Sequence, residues 1–204
     1  GDAWGSFNDV WTELSDVLPA TEFCGYDEEQ LDGARVLALV VDGERVERVH
    51  RGQQGVEVVL DRTPFYAEMG GQMGDAGSLV AGGTVLTVLD TKSHNGLYAH
   101  VAQVDTGELR EGDVVSAVVD GHRRSLLRRN HTATHLLDAA LKEVLGDHVN
   151  QAGSLVAPEH LRFDFTHFEA LTSEQLSRIE ALVNREIFAA KPVVTRIMGI
   201  DEAK

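Results

Sequence analysis

Between Arg35 and Asp120 the apolar residues come in short runs, most of them closed by a turn that carries glycine, and this punctuation constrains the fold more than any other feature of the chain. Arg35 to Val41 is rich in Val and Leu, and Asp42-Gly43 follows it. That pair suits a two-residue hairpin whose central positions both need positive φ. Glu44 to His50 is therefore expected to return as a strand, and Gly55 to Asp61 reads as another. Beyond a glycine-rich loop come Ser78 to Ala81, a Gly82-Gly83 turn, Thr84 to Thr91, Leu97 to Val104 and Asp113 to Asp120. Short strands at this spacing predict a small closed or nearly closed antiparallel β-barrel.

The period changes at Asp120-Gly121. From about His122 to Leu145 the pattern is helical, with Leu126, Ala133, Leu136, Leu137, Ala140, Leu141 and Val144 on one stripe. A strand is expected at about 149–156 and a second at 161–168. Thr172 followed by Gln175 makes a capping box, and the helix it opens should run to about Lys191 and stop at Pro192. Val193 to Met198 reads as one more strand, with the first turn of a helix after it. Upstream, Phe7, Val10, Trp11, Leu14, Val17 and Leu18 follow helical spacing until Pro19. The fold class is α+β: a helical lead-in (1–24), a small antiparallel β-barrel (25–120) and a second α+β part with a long helix (121–204).

Composition limits the function classes. No apolar run approaches the roughly 18–20 residues that span a bilayer, so no membrane partner is expected. Cys24 is the only cysteine, which forbids an intrachain disulfide and fits a cytoplasmic location. The formal net charge of -15 argues against nucleic acid, because phosphates favour basic surfaces. Against that, Arg123, Arg124, Arg128 and Arg129 fall close together and form a local basic patch.

Two stretches carry candidate chemistry. His131 and His135 are four apart, one turn from each other on one helical face, and point roughly away from the apolar stripe. They can share a metal ion, or they can belong to a solvated face with Arg124, Arg128, Asp138 and Lys142. The loop Thr63 to Gly77 holds four glycines, Gly70, Gly71, Gly74 and Gly77. These permit close approach of a ligand or of another backbone.

Together the two stretches produce a resemblance. Phe65 to Gly77 (FYAEMGGQMGDAG) resembles the glycine motif of the alanyl-tRNA synthetase editing region, and Asn130 to Leu137 (NHTATHLL) resembles the zinc-binding helix of the same family. Val149 to Val156 and Leu161 to His167 are similar to two further segments of it. The lead-in Phe23-Cys24-Gly25-Tyr26 looks like the synthetase rather than the free-standing editing proteins, and the threonyl-tRNA synthetase editing domain lacks the glycine-rich stretch.

The resemblance implies a proofreading hydrolase for serine or glycine wrongly joined to tRNA(Ala). A pocket built for alanine cannot exclude glycine by size and rejects an added hydroxyl weakly. The parent enzyme would attach alanine with ATP and magnesium. By the same resemblance His131 and His135 match two zinc ligands. The family's other two, in a later Cys-x-x-x-His motif, lie beyond this sequence, so an incomplete zinc site, empty or weakly occupied, is expected. Cys24 belongs to the barrel lead-in and does not replace them. Thr134 and Gln151 are implied near the reacting ester, with a helix-surface Thr and a strand-edge Gln as the alternatives. Gly70, Gly71 and Gln72 are implied at the substrate end, and Arg123, Arg124, Arg128 and Arg129 at the tRNA backbone. Asp164 and His167 are candidates to orient a ligand histidine, with an exposed strand face as the alternative. The alternatives are a free-standing trans-editing deacylase and a non-catalytic tRNA-binding module.

Overall fold

A computed structural model describes residues 9–189. Phe7 of the lead-in stripe, the expected helix end at Lys191 and Pro192, the strand at Val193 to Met198 and the helical turn after it lie outside them. In order, the elements are α1 (Val10–Val17), β1 (Glu22–Phe23), β2 (Gln30–Val41), β3 (Glu44–Val46), β4 (Arg48–His50), β5 (Val56–Leu60), β6 (Arg62–Thr63), β7 (Gly77–Ala81), β8 (Thr84–His94), β9 (Leu97–Thr106), β10 (Glu108–Arg110), β11 (Val114–Val119), α2 (Gly121–Leu145), β12 (Gln151–Val156), β13 (Leu161–Phe165) and α3 (Ser173–Phe188).

The barrel closes through β2. Its second half pairs with β5, Val36 opposite Leu60 through Val41 opposite Val56. Its first half pairs with β11, Val114 opposite Arg35 through Val118 opposite Gln30. The circuit β2-β5-β9-β8-β7-β11 then returns to β2, so all six strands are antiparallel and none is left as a free edge. Register shifts sit at Val36/Ala38 and Val115/Ala117, where a bulge supplies the bend that closure needs. Asp42 (φ 51°) and Gly43 (φ 77°) form the expected hairpin turn.

The expected strand from Glu44 to His50 is corrected to two. β3 pairs with β2, and β4 leaves it to pair with β10, where Val49 faces Leu109. Both of these side chains are fully buried in the barrel core, so burial of Val49 wins over continued pairing with β2.

Alternation fills the barrel. Val56, Val58 and Leu60 of β5 point inward with Leu79, Leu86 and Phe65, while Val59 points outward. The outer face carrying Ala38, Val40, Val59, Leu97 and Ala99 would be an apolar patch in water, and α1 covers it with Trp11 and Leu14.

Helix α2 starts where Asp120 caps it, its carboxylate accepting from the Arg123 N–H at 3.0 Å. It changes partner along its length. Arg124 and Leu127 are buried near the start, and Ala140 and Leu141 near the end, where they meet Val149 and Ile179. The expected stripe gave the second half correctly and missed Leu127, which is 1% exposed. The β12–β13 hairpin and α3 complete this part, and Thr172 and Gln175 form the capping box at the α3 N-terminus.

Candidate functional site

His131 and His135 lie on an exposed face of α2 with their Nε2 atoms 3.0 Å apart and their rings nearly perpendicular, at 80°. Burial, with the neighbouring His135 as a second cause, lowers the His131 pKa from its ordinary value. Neutral imidazole, the form that ligates metals, is thereby favoured. Two nitrogens on one tetrahedral zinc stand about 3.4 Å apart, so a small rotation of either ring makes the pair fit as two of its ligands. Among the described residues no group of three or more His, Cys, Asp or Glu side chains is placed to hold a metal ion. Cys24 is half-buried, and burial followed by the charge of Glu28 raises its pKa. That is opposite to what a ligating thiolate needs.

A cavity of about 530 Å³ opens between the lead-in, the glycine loop and α2, and His131, Gln72, Tyr66, Tyr26 and Arg128 line it. Thr132 lines it too, whereas Thr134 does not. Thr134 is buried, with its hydroxyl donating to the Asn130 carbonyl at 2.9 Å, which corrects its reading as a helix-surface residue. Gln151 also lies outside the cavity lining, and its amide donates to Ser154 Oγ at 2.9 Å.

The glycine loop is seated from both sides. Gly71 (φ 84°) gives its carbonyl to the Val156 N–H at 2.9 Å, and Met73 N–H donates back to Val156 O at 3.1 Å. A Cβ on Gly71 would stand 2.4 Å from the Ser154 carbonyl oxygen. Close backbone approach, one of the two uses expected of these glycines, is the one realised at Gly71. Gly70 (φ 58°) faces open space, and Gln72 reaches the cavity.

The four arginines divide. Arg124 is 4% exposed and bonds Asp75 through Nε and Nη2. It also donates to the carbonyls of Gly25, Glu28 and Pro64. Its expected role at an RNA backbone is corrected: it is a buried tie between the lead-in, the glycine loop and α2. Arg123 is partly committed, donating to Gly74 O at 2.7 Å. Arg128 and Arg129 are exposed, and no hydrogen bond or ion pair engages either side chain among the described residues. Asp164 pairs with Arg162 at 3.2 Å, and His167 meets His148 at 2.9 Å. Neither touches the His131–His135 pair, so the expectation that they orient it is corrected.

Sequence reasoning missed His100. It is fully buried, its Nδ1 2.7 Å from Val58 O and its Nε2 2.7 Å from Thr63 Oγ1. The carbonyl can only accept, so Nδ1 carries the proton and Nε2 accepts from the Thr63 hydroxyl. Burial pushes its pKa down to about 4. A histidine at an inward position of a strand pattern was the available signal.

The glycine loop of the closed barrel thus meets β12 and the helix that bears the histidine pair. Comparison with known proteins shows the family: residues 2–123 match the model of the class II (A) tRNA synthetases, and the chain belongs to that family. Its similar relatives include the alanine–tRNA ligase of Acetivibrio thermocellus, 49% identical over 100% of this chain and 23% of the relative. Those of Rhodopseudomonas palustris (46% identical, 96% of this chain, 22% of the relative) and Bordetella petrii (50%, 90% and 21%) are similar too. The chain thus spans less than a quarter of the length of these relatives.

Proposed function

We propose that this chain is the editing part of an alanine–tRNA ligase and takes part in hydrolysing the ester that joins serine or glycine to tRNA(Ala). Residues 1–24 are its lead-in, 25–120 its barrel and 121–204 the beginning of the domain where hydrolysis takes place. The whole enzyme would work in the cytoplasm and attach alanine to tRNA(Ala) with ATP and magnesium, in regions of the relatives that this chain does not cover.

The observation that supports the reading best is the placement of His131, whose Nε2 lies 3.0 Å from that of His135, in the same cavity as Gln72 of the glycine loop. His131 and His135 would hold a zinc ion together with ligands from elsewhere in the enzyme. Zinc at such a site supplies Lewis-acid polarisation, water activation or substrate positioning. The Gln72 amide offers a donor and an acceptor to the amino-acid end of the ester, and Arg128 and Arg129 offer charge to the RNA phosphates. Water adds to the ester carbonyl, the acyl–oxygen bond breaks, and free amino acid and a tRNA 3′-terminal hydroxyl are released.

The test is deacylation of Ser-tRNA(Ala) by this chain and by a version extended past Lys204, each with and without zinc. Activity confined to the longer, zinc-loaded protein is the expected result. A folded extended protein that leaves the ester intact would overturn the proposal.

A further inference from the structure

The glycine loop is held at both ends by hydroxyl groups inside the barrel. At its entry the Phe65 N–H donates to Thr63 Oγ1 at 3.0 Å. At its exit Thr91 Oγ1 donates to the Asp75 carbonyl at 2.9 Å, and the Glu68 N–H donates to Thr91 O at 2.8 Å. Thr91 and His100 stand opposite each other in the β8–β9 ladder, and Thr63, Thr91 and His100 are all fully buried. In such a place each polar hydrogen needs an acceptor close by.

A threonine hydroxyl has one hydrogen to give. With Nδ1–H of His100 committed to Val58 O, the bare Nε2 takes the Thr63 hydrogen at 2.7 Å. The lone pairs of Thr63 Oγ1 are thereby turned from the ring, and one of them receives the Phe65 N–H. Burial, which pushes the His100 pKa down to about 4, keeps the ring in the neutral form whose Nε2 can accept. The Phe65 ring also stands edge-on to the imidazole, with centroids 5.1 Å apart at 89°. An apolar side chain could fill the same space, but it would deprive the Thr63 hydroxyl of its acceptor and of its fixed direction. Burying an imidazole is costly unless both nitrogens are satisfied, and here one of the two is spent on the root of the loop.

We infer that His100 is a positioning residue: through Thr63 it fixes how the glycine loop leaves the barrel, and hence how Gln72 reaches the cavity. Its bearing on catalysis rests on the editing reading; the anchoring of the loop does not. His100 touches no substrate and acts only through the hydroxyl it orients.

The test measures hydrogen exchange at the Phe65 amide, with Leu79 and Leu86 of the β7–β8 pairing as the barrel reference. Thr63→Val and His100→Leu should each speed exchange at Phe65 about tenfold or more and move the reference amides much less. Thr63→Ser keeps the hydroxyl and His100→Gln keeps an acceptor near the Nε2 position, so both should stay within about twofold of the parent chain. Nitrogen NMR of the imidazole should show Nδ1 protonated and Nε2 bare. The inference is overturned if Thr63→Val and Thr63→Ser exchange alike at Phe65, if Leu79 and Leu86 share the rise equally, or if Nε2 carries the proton. In the extended protein Thr63→Val should raise KM for Ser-tRNA(Ala) severalfold with kcat little changed, and Thr63→Ser should restore it. Hydrolysis with KM unmoved by Thr63→Val would refute the positioning role and leave the editing function standing. The expected exchange pattern without hydrolysis would refute editing and leave the anchor of the loop standing.

Discussion

Arg124 Nη2 lies 2.5 Å from Asp75 Oδ2, and both side chains are within 5% of complete burial. The two are 49 residues apart in sequence, one at the start of the long helix and the other at the end of the glycine motif. Asp75 Oδ2 also accepts from the Tyr66 N–H at 2.7 Å, so this one carboxylate gathers the loop while the guanidinium gathers the lead-in. Removing one partner of a buried pair leaves the other charged and unsolvated. Arg124→Ala and Asp75→Asn are each expected to lower stability by about 3–5 kcal/mol, read as a reduced urea midpoint with an unchanged slope. Loss below about 1 kcal/mol would mean that water reaches the pair.

Gly70 and Gly71 are adjacent, and both have positive φ, but their surroundings differ. Gly70→Ala should cost only the left-handed backbone penalty, about 1–2 kcal/mol. Gly71→Ala adds the clash with Ser154 O and should cost roughly 3 kcal/mol in total, while loosening the loop from β12. Hydrogen exchange at Met73 and Val156 would report that loosening directly. Equal effects of the two substitutions would contradict the seating described for Gly71.

His100 makes stability depend on pH. Its pKa is about 4 in the folded chain against 6.5 for a free histidine, so the unfolded state binds the extra proton first. Stability is full above about pH 6.5 and is lost as pH falls towards about 4, by roughly 3 kcal/mol at most. Carboxylates add their own dependence at the lower end, so the comparison is between the parent chain and His100→Gln. Urea unfolding at pH 7 and pH 4.5 should show a smaller drop for the variant.

The histidine pair on α2 is exposed, so replacing it should leave the fold intact. His131→Ala and His135→Ala are expected to change stability by no more than about 0.5 kcal/mol and to abolish whatever zinc this chain binds in a calorimetric titration. Zinc binding that survives both substitutions would place the metal elsewhere.

The elements of this fold were legible because they are local. The Asp42-Gly43 turn, the period change at Asp120 and the Thr172–Gln175 cap each rest on residues a few positions apart, and the structure has all three. The helical spacing of His131 and His135 was legible for the same reason. The split of Glu44 to His50 was not, since it depends on Leu109 being available as a partner for Val49.

What the sequence determined by itself is the series of strands, the long helix and the one-turn spacing of its imidazoles, because period and turn chemistry act over short range. Only the tertiary structure decided which arginine is buried, which of the two threonines between the histidines meets the cavity, and that Gly71 presses on Ser154. Those outcomes follow from how α2 is rolled against the barrel, and that angle is fixed by Asp75, Pro64 and Gly25, whose distance from Arg124 along the chain hides the contact from any local pattern.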